Sequence, residues 1–331
     1  MKNAVFIVAL TLLLIMGCEQ SKAPVEVQES DITALQKAGP KIVVPDDFAT
    51  IQEAVDATAD GTTIIVKKGI YRELVKIVDK NNITLIGKNA MLGYPEGATD
   101  PDKSIEIYGC SNITVRDLEF NGENNSGEYP LYCAIGYDFA SGEVSGNIIN
   151  GYHVGIACYN ISSAPGVSGE NLDLQLFNNK ISEITGQGIN LIGNYNARIT
   201  NNSITCSEKY FEEGFLFLGI KMSGGTGTIS NNTITHKKNA AYSPQYSIGI
   251  HLQMRDPAPG LDGLTNFLHN VDVKNCIIKG TDLGIQINGD YTLPDGEEWC
   301  VHGVRLLHNI FIRVVKKYDI YNTCEDIVIR P

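Results

Sequence analysis

Gly188–Ile204 reads GINLIGNYNARITNNSI: a small residue and an apolar–any–apolar strand, then a second phrase built around asparagine. The first phrase recurs as GIAC (from Gly155), GIKM (Gly219), GIHL (Gly249), GIQI (Gly284) and DIYN (Asp319). With GINL included, the intervals are 33, 31, 30, 35 and 35 residues. The second recurs as GNII (Asn147), NNKI (Asn179), NNTI (Asn232), KNCI (Asn275) and HNIF (Asn309), beside NNSI at Asn202. Short strands at a repeating interval, separated by irregular inserts, mark a solenoid. No helical period runs through these repeats, while β-branched residues, glycine and asparagine abound. A turn of two or three strands cannot bury its apolar face alone and must stack on its neighbours. The pattern therefore predicts an all-β fold, a single-stranded right-handed parallel β-helix. The asparagines are expected to stack at a bend, each amide bonding the coils above and below.

A first coil left open would expose strand edges. The stretch TIQEAVDATADGTTIIVKKGIYRE (Thr50–Glu73) supplies a short N-terminal capping helix. Thr50 and Glu53 form a capping box, Ile51, Ala54 and Val55 face one side, and Gly61 is expected to end the helix. This helix, GIYRE (Gly69–Glu73), NITLIG (Asn82–Gly87) and ITVRDLEFNG (Ile113–Gly122) resemble, in that order, the first third of pectin methylesterases. The resemblance implies a member of the pectin lyase-like superfamily of β-helix proteins, and it specifies fold more strongly than chemistry.

That family's hydrolysis uses two aspartates and a glutamine, with the acid/base in a Gly-Tyr-Gln-Asp-Thr-Leu phrase. The corresponding phrase resembles GYHVGI (Gly151–Ile156), with His153 and Val154 where Gln and Asp would stand. The nucleophile phrase has its counterpart in GINLIG (Gly188–Gly193), which has no carboxylate, and Asp138 in YDFASG falls one coil too early. Methylesterase activity is expected to be absent. The Asn-Thr-Asp, Asp-Asp and Gly-His-Gly phrases of polygalacturonase-like hydrolases do not occur in the repeats, and the Arg-x-Pro-x-x-Arg phrase of pectate lyases is missing.

Alternation singles out one surface. With Ile220, Ile250 and Ile285 inward, the next residue on each strand points outward, giving a column Asn190, Lys221, His251, Gln286 with Ser223, Gln253 and Asn288 beside it. The inserts after GIHLQM and GIQING carry Arg255, Asp256 and Asp262, and Asp290, Tyr291, Asp295, Glu297, Glu298 and Trp299. Loops on a rigid scaffold are where function concentrates. Lys221, His251, Arg255 and Asp290 are the candidate catalytic residues; Asn190, Gln253, Gln286, Asn288 and Trp299 are the candidate substrate-binding residues. Uronic-acid β-elimination needs a cation at the carboxylate and a base for the C5 proton, which Arg255 with Lys221 or His251 could supply. Asp290 with another loop carboxylate could instead serve hydrolysis. A non-catalytic surface protein that binds glycan or is merely structural is the alternative, and a solvated polar face would look the same in sequence.

The first eighteen residues, MKNAVFIVALTLLLIMGC, pair an early lysine with an apolar run too short to span a membrane. They read as a lipoprotein signal peptide (1–18), with IMGC resembling a bacterial lipoprotein box that places a lipid on Cys18. Residues 19–40 are a polar tether and 41–331 the folded domain. The chain is thus expected in a bacterial cell envelope, held to a membrane by its lipid and facing the periplasm or exterior, as a monomer. A formal net charge of −12, with no basic stripe, argues against nucleic acid and leaves polysaccharide as the expected partner. Beyond Cys18, the seven cysteines (Cys110, Cys133, Cys158, Cys206, Cys276, Cys300 and Cys324) define no disulfide framework and read as buried thiols. No motif is dedicated to a metal, and the cofactor, Ca2+ included, stays open.

Overall fold

Alternation decides which residues the coils enclose. The computed structural model describes residues 39–95, 103–123, 131–161, 170–206, 216–237, 246–253, 268–288, 291–292, 298–299, 301–321 and 324–331. Ile156, Ile189, Ile220, Ile250 and Ile285 lie in register on successive strands and are fully buried. Each coil crosses three parallel faces. One coil runs through Tyr195–Thr200 on the first face, Ser203–Cys206 on the second and Phe217–Ser223 on the third. The next runs through Gly225–Ser230, Thr233–Thr235 and Ser247–Gln253, each paired in parallel with the strand one coil earlier. The first face holds eleven of the described strands. The second and third are joined where Ile148–Asn160 and Lys180–Gly193 bend from one to the other, and together they hold sixteen. The winding is right-handed, the sense favoured for parallel crossovers. The first strand, Lys41–Val44, opens a compact unit running Gly39–Pro331. Among the described residues no helix is long and apolar enough to cross a membrane.

The small residue of the repeated phrase is a packing requirement. A Cβ on Gly219 would stand 2.4 Å from Ile234 Cγ2 and 2.5 Å from the Gly249 carbonyl oxygen. The second-face isoleucine fills the space that a side chain would claim. The asparagine phrase builds the corner between first and second faces. Its leading residue is left-handed, with φ of 58° at Asn178 and 56° at Asn201 and Asn231, which asparagine tolerates better than most. The following asparagine enters a buried ladder of Asn147, Asn179, Asn202 and Asn232. The Oδ1 of each later rung accepts from the backbone and side-chain N–H groups of the asparagine one coil earlier, at 2.9–3.1 Å. Each Nδ2 also donates to a backbone carbonyl, as Asn202 does to Leu176 at 2.9 Å.

Two phrases sit differently from the sequence reading. In KNCI the left-handed corner falls on Asn275 (φ 54°), so the ladder position passes to Cys276. The Cys276 thiol sulfur lies 3.9 Å from Asn232 Nδ2, and its backbone N–H donates to Asn309 Oδ1 at 3.0 Å. In DIYN, Asp319 pairs with Gln286 rather than with Gly284, and Tyr318 takes the inward position of Ile285. There the last coil fills the core with rings: Phe311 and Tyr318 meet edge to face at 5.1 Å.

At the other end the helix α1 (Ile51–Asp56) buries Ile51, Ala54 and Val55 completely, and the capping box of Thr50 and Glu53 is formed. The Glu73 carboxylate accepts from the Ile51 and Gln52 N–H groups at 2.9 Å each, satisfying further donors of the first turn. The helix closes at Ala57, earlier than Gly61, whose positive φ of 83° serves the turn into Thr63–Val66.

Candidate functional site

The polar column forms in register on the outer side of the third face. Asn190 pairs with Lys221, Lys221 with His251, His251 with Gln286, and Gln286 with Asp319. Ser223, Gln253 and Asn288 make a second column two residues along. Outward from the core does not mean solvated here. Asn190 is 3% exposed, His251 and Gln286 7% and Ser223 1%, while Lys221, Gln253 and Asn288 are half-buried. An apolar column, Leu218, Ile248 and Leu283, is buried beside them on the same outer side.

Burial on this scale normally requires every polar atom to have a partner. Gln286 complies, its Nε2 donating to Asp319 Oδ2 at 2.8 Å. Asp319 also accepts from Lys316, and these two bonds, that of Lys316 first, hold its carboxyl below the usual carboxylate range. Asn190 complies by half: its Nδ2 donates to the Tyr159 hydroxyl at 3.3 Å, but its Oδ1 has no partner. Ser223 Oγ, Asn288 Oδ1 and both ring nitrogens of His251 are buried without a partner as well. Burial first, and the neighbouring Lys221 second, push the His251 pKa down to about 4, so the imidazole is neutral at physiological pH. The arrangement offers acceptors, a hydroxyl, a neutral imidazole and one ammonium along a single strip.

Arg255, Asp290 and Cys18 lie outside the described residues, as do Asp256, Asp262, Asp295 and Glu297. Trp299 is on a two-residue strand, Glu298–Trp299, antiparallel to Tyr291–Thr292; its side chain is outside the description. The inserts carrying Arg255 and Asp290 leave adjacent rungs, because Gln253 and Asn288 are register partners. Among the described residues no group of three or more His, Cys, Asp or Glu side chains converges to hold a metal ion.

The GYHVGI phrase, which resembled a methylesterase acid/base motif, is occupied differently. Val154 is buried with Cys133 and Ala157, and His153 Nδ1 lies 2.9 Å from Thr185 Oγ1 with its ring stacked on Tyr132 at 5.6 Å. Asp138 is bound by Lys103. The sequence reading missed Tyr159, which stands in the same column as Ser223, two rungs earlier. Extending the outward alternation back from GINL to GIACYN would have found it.

No protein-family model and no curated protein matches the chain. Some solved structures are similar to it at low identity. An alginate lyase from Paenibacillus sp. is 11% identical over 85% of this chain and 98% of that one, with a TM-score of 0.48. The A-module of a mannuronan C-5 epimerase from Azotobacter vinelandii is 13% identical over 91% and 94%, with a TM-score of 0.39. A surface adhesin of Streptococcus pneumoniae is 13% identical over 86% and 92%, also at 0.39.

Proposed function

We propose that this chain is an exported, lipid-anchored β-helix protein that binds an acidic polysaccharide along its third face and cleaves it by β-elimination. One observation carries the reading: Asn190, Ser223, His251 and Asn288 bury polar atoms without partners, in register, on one outer strip beside Lys221. Each such atom costs roughly 1–3 kcal/mol unless something bonds it. A sugar chain does so, because its hydroxyls both donate and accept. Lys221 supplies the charge that makes an acidic sugar the better ligand.

Elimination fits the strip better than hydrolysis. Hydrolysis needs two carboxylates flanking the scissile bond, and the central rungs, Asn190, Lys221, His251 and Gln286, carry none. Asp319, one rung beyond, is engaged by Lys316 and Gln286. In elimination the base takes the C5 proton, the C5–H electron pair becomes the C4–C5 double bond, the C4–O4 bond breaks, and O4 leaves with that bond's electrons and takes up a proton from water or from the protonated His251. Lys221 neutralises the carboxylate, helped by Arg255, which follows in sequence two residues after the strand of His251; neutral His251 accepts the proton. An anionic sugar beside His251 raises its pKa from about 4 towards the working range. A second reading, glycan binding without turnover, draws on that same low value, since an imidazole that stays near 4 with ligand bound is a weak base.

Export and anchoring rest on the leader ending in IMGC. A Cys18→Ala form that still partitions with membranes as fully as the wild type would place the anchor elsewhere. Activity is tested by incubating pure protein with a panel of acidic and neutral polysaccharides. Unsaturated products support elimination; new reducing ends without unsaturation overturn it in favour of hydrolysis, and binding with neither supports the second reading.

A further inference from the structure

The two ends of the solenoid are finished differently. At the N-terminal end α1 packs on the first strands and its apolar side is completely buried. At the other end the last strand of each face, Val328–Arg330 on the first, Ile310–Ile312 on the second and Lys316–Ile320 on the third, pairs only with the coil before it among the described residues. Three edges thus present unpaired backbone groups, which recruit further strands.

The core is open there as well. Ile329 is 43% exposed although Leu306, its register partner one coil earlier, is fully buried. Phe311, Tyr318 and Ile320 are only partly buried, whereas their register partners Ile278, Ile285 and Ile287 are completely enclosed. Around this section Ile310, Ile312, Val315, Tyr321 and Val328 are exposed. An apolar end ringed by strand edges is a surface that a solenoid needs covered.

A second copy of the chain fits it. Head-to-tail stacking, which would grow into a fibre, is blocked because α1 closes the other end. Turned end for end, a second copy runs its last coil in the opposite sense, so the edges meet antiparallel about a two-fold axis and assembly stops at two. With Val328 on that axis, Ile327 stands opposite the partner's Ile329, and exposed Asp326 stands opposite the partner's exposed Arg330, twice over. Asp326 and Val328 line one outer groove of the first face, where Arg305 is already committed to Asp272. The coil from Arg305 to Pro331 offers roughly the 20–30 residues a side of a standard interface.

We infer that the chain forms a tail-to-tail dimer, closed by antiparallel pairing of its last coils and by reciprocal contacts between Asp326 and the partner's Arg330, in place of the monomer expected from the sequence. The inference does not depend on the saccharide reading, whose residues Asn190, Lys221 and His251 lie on earlier coils.

The test follows the mass of the purified chain by sedimentation in density-matched detergent over a dilution series. The wild type should be a dimer that dissociates on dilution, and amide exchange across Ile310–Ile312, Lys316–Ile320 and Val328–Arg330 should slow as the dimer forms. Asp326→Arg and Arg330→Asp each set like charges opposite one another and should weaken dimerisation at least about ten-fold. Mixing the two variants restores unlike charges at both contacts and should return a dimer as tight as the wild type, a rescue that a misfolded variant could not give. A wild type that stays monomeric overturns the inference, and slow exchange at those edges at every concentration then assigns the cover to a segment of the same chain. A dimer indifferent to both replacements, or one that mixing fails to restore, overturns it as well.

Discussion

The first and third faces carry outward polar ladders that look alike in sequence and differ in every physical respect that matters. On the first face Gln175, Arg198, Thr228, Asp272 and Arg305 stand in register. Their charges answer one another: the Arg305 guanidinium donates twice to Asp272, at 2.6 Å each, and nearby Asn196 donates to Asp173 at 2.8 Å. Among the described residues none of the buried, unpartnered side-chain atoms lies on this face. The third face holds Asp138, Asn190, Ser223, His251 and Asn288 of that set. An outward polar residue on a solenoid is therefore ordinary; one that is buried and unbonded by the protein needs another partner, a bound water or a ligand.

The largest effect should strike both faces at once, through the scaffold they share. Gly219→Val forces a side chain into Ile234 and the Gly249 backbone, and should cost about 4 kcal/mol or more in urea unfolding. A mild cost would mean that the faces are not held by one core. Asn202→Ala leaves Asn179 N–H groups and the Leu176 carbonyl without their partners and should cost roughly 2–3 kcal/mol.

His251→Leu separates the faces. Removing two buried unpartnered nitrogens should leave stability equal or raise it by about 1 kcal/mol, although the residue is central to the proposed site. Its pH dependence sharpens this. The imidazole falls from 6.5 to about 4 on folding, so the unfolded chain binds the proton more readily. Its stability contribution is present above 6.5 and is lost as pH falls towards about 4. The difference in stability between wild type and His251→Leu should change across that window and be flat above it. The smallest effect is reserved for the first face: Thr228→Ala should shift stability by no more than about 0.5 kcal/mol and leave glycan binding as it was.

Much of the fold was legible because its determinants are local. Gly219, Ile220 and Asn202 state their roles within a few residues: no room for a side chain, an inward position, a corner amide. The register of Lys221 with His251 followed from the same phrases. Two positions were misread where local pattern met a different neighbour, with Cys276 taking an asparagine rung and Tyr318 replacing an inward isoleucine beside Phe311. The state of the candidate site was less legible. Alternation shows that His251 points away from the core, but whether it meets water depends on contacts distant in sequence. Its burial and the unmet bonds of Asn190 and Ser223 appear only in three dimensions.

The central claim, that the third face and not the first is the ligand face, is tested most directly by one paired measurement. Thermal melting and glycan binding are recorded together for Lys221→Ala, His251→Leu and Thr228→Ala, using whichever acidic polysaccharide the wild type binds. The expected result is at least ten-fold weaker binding for the two third-face variants, with melting unchanged or raised, and wild-type behaviour for Thr228→Ala. Unaltered binding in both third-face variants, or a loss confined to the first-face variant, would contradict it.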